Sequence, residues 1–230
     1  MAKITRETVV EESYEDDNDE YTYDETPSRP TTKTSSIASG WGETESTERR
    51  ETVKAPYLDF KNGSSTKIVK LLDDQPFARW YRHFVPGKPP IYCHGQSNCP
   101  ICAKNWKAQQ NYRMNVIEMS DPKSATEDGW TVKVWDFSWP VVQQLQAFAA
   151  KIPLNAGPRY FQLMHIPNKG ITVVPLNTMA LEDEHGLFPL SDGEFEEAQN
   201  KRFGEESVFV NSPKQVADIA AGLSVYVPKD

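Results

Sequence analysis

Arg79-Trp80-Tyr81-Arg82-His83-Phe84-Val85-Pro86-Gly87-Lys88-Pro89-Pro90-Ile91-Tyr92-Cys93-His94-Gly95-Gln96-Ser97-Asn98-Cys99-Pro100-Ile101-Cys102 is the stretch on which the reading of this chain turns. From Phe77 to Val85 aromatic and basic residues are mixed without a breaker, which predicts a strand. Pro86 to Pro90 ends it. The segment that follows holds all 3 cysteines of the chain. An odd number of thiols so close together argues against a disulfide framework and for a metal site or a redox pair in a reducing compartment.

Cys99-Pro100-Ile101-Cys102 presents two thiolates from one tight turn, and Cys93 offers a third. Zinc takes four such ligands in a tetrahedron, with sulfur at about 2.3 Å. His83, at the end of the preceding strand, is the favoured fourth ligand, because the proline-rich turn can fold the chain back toward it. His94 is the alternative, although neighbours in extended chain point apart and His94 is next to Cys93. Three thiolates and an imidazole leave no open position. The expected Zn2+ is therefore structural, one per chain, clipping a long loop and supplying folding free energy. The competing reading is a thioredoxin-like redox turn, in which the first cysteine follows a buried strand at a helix N-terminus. Here a polar loop precedes Cys99, and the extra Cys93 suits a metal better.

Outward from this segment the chain reads as short strands. Thr66–Leu72, Asn111–Met119 and Trp130–Phe137 carry the apolar, β-branched pattern. Ser138 looks like an N-cap before Val141, Val142, Leu145, Phe148 and Ala149 at helical spacing. Arg159–His165 and Gly170–Pro175 read as a hairpin. Five or six strands with one helix between the later ones suit a mainly β fold, an OB-fold-like five-stranded barrel, with the metal loop at 83–102 inserted into it. Residues 56–175 form this domain in the reading. Residues 176–230 are an acidic C-terminal region with short helices at Asp192–Arg202 and Ser212–Leu223. Residues 1–55 read as a disordered arm, since Glu7 to Glu25 hold 10 acidic side chains and no basic one before a Ser, Thr and Pro linker.

The net charge of −8 hides a segregation. The arm carries −7, residues 56–160 carry +5 and the remainder −6, so the centre is basic between acidic ends. Of 25 aromatic residues, 15 fall in that basic centre. Basic charge interleaved with aromatic rings is the composition that tracks and stacks on single strands, whereas each ring taken alone fits a β core equally well. The candidates for phosphate contact are Arg79, Arg82, Lys88, Lys104, Lys107 and Arg113, and for base stacking Trp80, Tyr81, Trp106 and Tyr112. No window approaches the roughly 18 apolar residues of a membrane span. Met1 to Arg6 is not followed by an apolar run and is not read as a secretory signal. Nucleotide loops, the nucleophile elbow, HExxH and the deaminase H-x-E are all missing, so an enzyme is not expected. A zinc-bearing protein–protein adaptor, or an RNA-binding regulator on the same fold, are the rival readings.

Together these residues resemble a family, the zinc-containing OB-fold single-stranded DNA-binding proteins of tailed bacteriophages. The resemblance covers roughly residues 56–175. Its most specific part is the basic-aromatic strand ending in His83, then Tyr92-Cys93 and Cys99-Pro100-Ile101-Cys102. It continues through Tyr112-Arg113-Met114-Asn115-Val116-Ile117, Trp135-Asp136-Phe137 and Arg159-Tyr160-Phe161-Gln162-Leu163. The resemblance implies a non-catalytic protein that coats single-stranded DNA in phage replication, recombination and repair, in the cytoplasm of a bacterial host. It also implies a Cys3His zinc subdomain inserted into the barrel. The best-known members carry a basic N-terminal arm, whereas the arm here is acidic. It is expected instead to recruit replication or recombination proteins.

Overall fold

The structure, a computed structural model, describes residues 53–60 and 65–226. Most of the arm read as disordered, residues 1–52, lies outside the described residues. The elements are β1 (Ser65–Leu71), β2 (Ala78–His83), β3 (Ile91–Tyr92), β4 (Ala108–Glu118), β5 (Ala125–Thr126), β6 (Gly129–Trp130), β7 (Val132–Ser138), α1 (Trp139–Ala149), β8 (Tyr160–Ile166), β9 (Gly170–Leu176), α2 (Thr178–His185), α3 (Asp192–Asn200) and α4 (Pro213–Ala221). The fold is mainly antiparallel β sheet with short helices. No helix among the described residues is long and apolar enough to cross a membrane.

β4 organises the sheet. One of its edges pairs with β7, from Asn111↔Ser138 to Ile117↔Val132. The other edge carries two strands end to end: β2, from His83↔Ala108 to Ala78↔Arg113, and β1, from Leu71↔Val116 to Val69↔Glu118. Between them the chain leaves the edge, and the Asp73 carboxylate takes the backbone N–H of Asn115 at 2.6 Å and its Nδ2 at 3.0 Å. A buried N–H without a ladder partner is costly, and Asp73 fills that rung. β8 pairs with β1, and β9 with β8.

The sheet stays open. The side chain of Gln144 on α1 occupies the free edge of β9, accepting from Val173 N at 2.8 Å and donating to Ile171 O at 3.1 Å. α1 thus stands where a closing strand would pair, and an exposed sheet edge is covered.

Both faces of β4 are buried. Tyr112, Met114 and Val116 join Val69, Leu71, Trp135, Phe137, Leu145, Phe161 and Leu163 under α1. Val141, Val142 and Leu145 are the buried stripe of that helix, and Ser138 is its N-cap, without a side-chain bond. On the opposite face Ile117 meets Ile68, Leu72 and Tyr160, covered by Leu181 of α2 and Ala198 of α3. The acidic stretch after β9 therefore packs back over the sheet. α3 and α4 begin with capping boxes, Ser191 with Glu194 and Ser212 with Gln215.

Lys70 shows how polar groups are accommodated in this packing. Its Nζ donates to the carbonyls of Ala156, Gly157 and Arg159, and lies 5.1 Å and 5.0 Å from the ring centres of Tyr160 and Phe195. Burial, and then the charge of Arg159, push its pKa down to about 8.

Candidate metal centre and the face beside it

His83 ends β2 with its side chain buried. The turn at Pro86 to Pro90 returns the chain as β3, which pairs Arg82↔Tyr92 and His83↔Ile91. Cys93 follows, its N–H on Tyr81 O at 2.8 Å, so the strand pairing itself delivers the first thiol beside the imidazole. Cys99 and Cys102 come from one tight turn, closed by Ala103 N to Cys99 O at 3.1 Å. Asn105 leaves that turn at φ 63, a left-handed conformation that asparagine tolerates.

The four side chains converge, with ligand atoms all within 4.8 Å of one another. His83 Nε2 lies 3.3 Å from Cys99 Sγ and 3.4 Å from Cys102 Sγ, and Cys93 Sγ lies 3.6 Å from Cys102 Sγ. Ligands about 2.3 Å from a tetrahedral centre stand about 3.8 Å apart, so the donor set fits such an ion with small adjustment. This buried His and three Cys could hold a metal ion. The thiols do not share one protonation state. A hydrogen bond from Cys93, and others from His83 and the turn backbone, hold Cys99 down to about 3. The same Cys93–Cys99 bond, with burial, pushes Cys93 up, and burial pushes Cys102 to about 11. A soft cation would displace the remaining protons.

The choice between the histidines is settled by geometry. His94 turns away, its Nε2 2.8 Å from Asn211 O and its ring edge-on to Tyr92. The redox reading lacks its helix: after Cys99 there is only a single 3-10 turn, Cys102–Lys104.

No family model, curated protein or solved structure matches this chain.

The residues singled out for nucleic-acid contact divide into three groups. Three are buried, which corrects the expectation for them. Arg113 is 1% exposed, with Nε and Nη2 on Asp136 at 2.6 and 2.8 Å. Its guanidinium is also held by Ser207 and Tyr57 and lies between the Tyr57 and Trp80 rings. All its donors face protein, so none is left for phosphate. Trp80 packs with Ala78, Tyr92 and Val208, and Tyr112 belongs to the core under α1. A second group is partly covered. Lys104 donates to Leu223 O, Trp106 Nε1 donates to Ser224 O at 3.1 Å, and the Trp106 ring rests on Tyr226 at 5.1 Å. Arg82 is half-buried beside Asp136, over the Phe84 ring at 4.8 Å.

The third group is open to solvent. Tyr81 is 45% exposed, and Lys88 and Lys107 are exposed. Arg79 is half-buried and stands beside Tyr112 in the register, where its charge acts against the burial that raises the Tyr112 pKa. Register places Arg79, Tyr112 and Phe137 in one row across β2, β4 and β7, with Tyr81 and Gln110 in the next row on that face. Trp139, 47% exposed and with its ring 6.3 Å from Tyr112, stands at the end of it. Trp139 was missed in the sequence. The available signal was an indole outside the Val141, Val142 and Leu145 stripe.

Proposed function

We propose that this chain binds single-stranded DNA without catalysing a reaction on it. In this reading the sheet is a variant of the OB-fold barrel, and the Cys3His cluster holds Zn2+. The metal supplies folding free energy to the loop that follows β2 and does no chemistry on the ligand. The observation that carries the reading is a pair of exposed rings, Tyr81 and Trp139, on the face of the sheet that also bears Arg79. Tyr81 and Trp139 offer ring faces, Arg79 offers a guanidinium on the same face, and Tyr112, beside Trp139, is buried beneath it. Rings and a cation on one face suit bases and phosphates of a strand whose bases are unpaired, and the pattern is tolerant of sequence. Lys88 and Lys107 add exposed positive charge from the same insertion. The acidic residues before Val53 would recruit replication or recombination proteins of a bacterial host, in line with the family that the sequence resembles.

The test is a titration of the full chain with oligo-dT at two salt concentrations, followed by tryptophan quenching, with zinc measured on the same sample. The affinity is expected to fall with salt, at a slope of about −0.7 per phosphate neutralised. Trp139→Ala is expected to weaken binding roughly 5- to 150-fold, the equivalent of about 1–3 kcal/mol of stacking. No binding at low salt, by a chain that does bind zinc, would overturn the reading in favour of a protein–protein adaptor. An oligo-U competitor that displaces oligo-dT at equal length would turn it toward RNA.

A further inference from the structure

The chain after the last sheet-covering turn does not end on the sheet. It crosses the metal loop from one end to the other. At the near end Tyr92 N donates to Asn211 Oδ1 at 2.9 Å, and His94 Nε2 meets Asn211 O. In the middle, Val216 and Ala220 of α4 are buried against Val85, Ile91, Cys93, Cys99 and Ile101. Ile219 and Leu223 pack at the margin, so residues 216, 219, 220 and 223 form one helical stripe. At the far end Lys104 and Trp106 donate to the carbonyls of Leu223 and Ser224, and Tyr226 N donates to Lys104 O at 2.9 Å.

Neither partner has a core of its own. The loop between β2 and β4 holds a two-residue strand and one 3-10 turn, and its apolar contribution is a few side chains around two cysteines. α4 has 9 residues. Isolated helices shorter than about 12–15 residues are marginal in water, and one capping box does not change that. The apolar stripe of α4 is covered by the face that the cysteines shape. Where the sulfur atoms stand sets where Ile101 and Val85 stand, and those side chains are the floor on which Val216 sits.

We infer that docking of α4 is conditional on the metal centre: the ligated loop is the surface on which residues 211–226 fold, and loss of the ion releases them while the sheet stays folded. The inference rests on the metal reading of the Cys3His cluster and not on DNA binding. Linkage makes the coupling reciprocal, so undocking α4 weakens metal retention by the same factor that metal strengthens docking.

The experiment uses the full chain with its metal content measured. Amide hydrogen exchange is followed before and after removal of the ion with a strong chelator. Amides of α4 are expected to lose at least tenfold in protection, while those of β8 and β9 keep theirs. In parallel, Val216→Asp is expected to lose zinc to a chromogenic chelator at a concentration at least tenfold lower than wild type requires. Full protection of α4 in the metal-free chain, or unchanged zinc retention by Val216→Asp, overturns the coupling. Loss of protection throughout the sheet overturns it as well, since the metal would then be a requirement of the whole fold. A purified chain that takes up no zinc overturns the metal reading itself, which keeps the two failures apart.

Discussion

Leu145 and Ile101 are both fully buried, but by different means. Leu145 sits among side chains from β1, β4, β7, α1, β8 and β9, a cluster large enough to hold its own geometry through burial. Ile101 sits in a cluster of 7 buried residues, two of them cysteines of the candidate metal site and two of them from a helix distant in sequence. Small cores do not offset chain entropy unaided, and proteins add a staple where the core is too small. Burial sets the position of the sheet, and in the function proposed above coordination sets that of the loop. Within one chain, the two regions should respond to different perturbations.

The sharpest break in that comparison is His83→Ala. It removes one of four ligands, and structural zinc in isolated fingers is worth about 10–16 kcal/mol. Zinc content is expected to fall from one per chain to near zero, with α4 exchanging freely and the far-ultraviolet dichroism of the sheet retained. A variant that keeps its zinc would return the fourth position to another ligand.

Arg113→Met breaks the other region. It leaves the Asp136 carboxylate among buried neighbours without its bidentate partner, which typically costs about 3–5 kcal/mol. Leu145→Ala follows closely, at about 2–5 kcal/mol for a cavity in the main core. Urea denaturation should register both, with zinc content unchanged in each. Loss of zinc in either variant would show that the loop draws its stability from the sheet.

The smallest effect is at Lys70. Its folded pKa of about 8 lies below the ordinary lysine value of 10.5, so between these two pH values the unfolded chain holds more protons at this position. Stability then rises with pH across that window. Wild type is expected to gain on Lys70→Met between about pH 8 and 10.5. A flat difference would mean that the three carbonyls and two rings hold the ammonium fully charged.

The strands were legible because β1 and β4 end in buried runs, β7 alternates and β8 and β9 are joined by a Gly170 turn, and α1 because Val141, Val142 and Leu145 recur at helical spacing. The ligand set was legible because a strand, a proline turn and a returning strand are local events, and they bring Cys93 to His83 whatever the rest of the chain does. The burial of Trp80 and Arg113 was hidden for a nonlocal reason, whereas Tyr112 points to the other face of β4, into the core with Phe137 and α1. Ser207 and Val208 arrive from nearly a hundred residues away to cover one face of β2 and β4, and no periodicity in β2 announces that cover. An arginine on a basic-aromatic strand reads alike whether its partner is a phosphate or the Asp136 carboxylate. The open sheet was equally hidden, since it follows from where one glutamine of α1 finds its partners.

The shared edge of β4 has a mechanical consequence. β2 and β1 lie along it end to end, and the rung between them is a side chain, Asp73, in place of a backbone carbonyl. A side-chain rung has torsions of its own, so the edge has a seam. Leu72 N to Asn115 O and Phe77 N to Arg113 O, each at 3.0 Å, flank the seam, so the edge runs on across it and only its middle rung depends on a side chain.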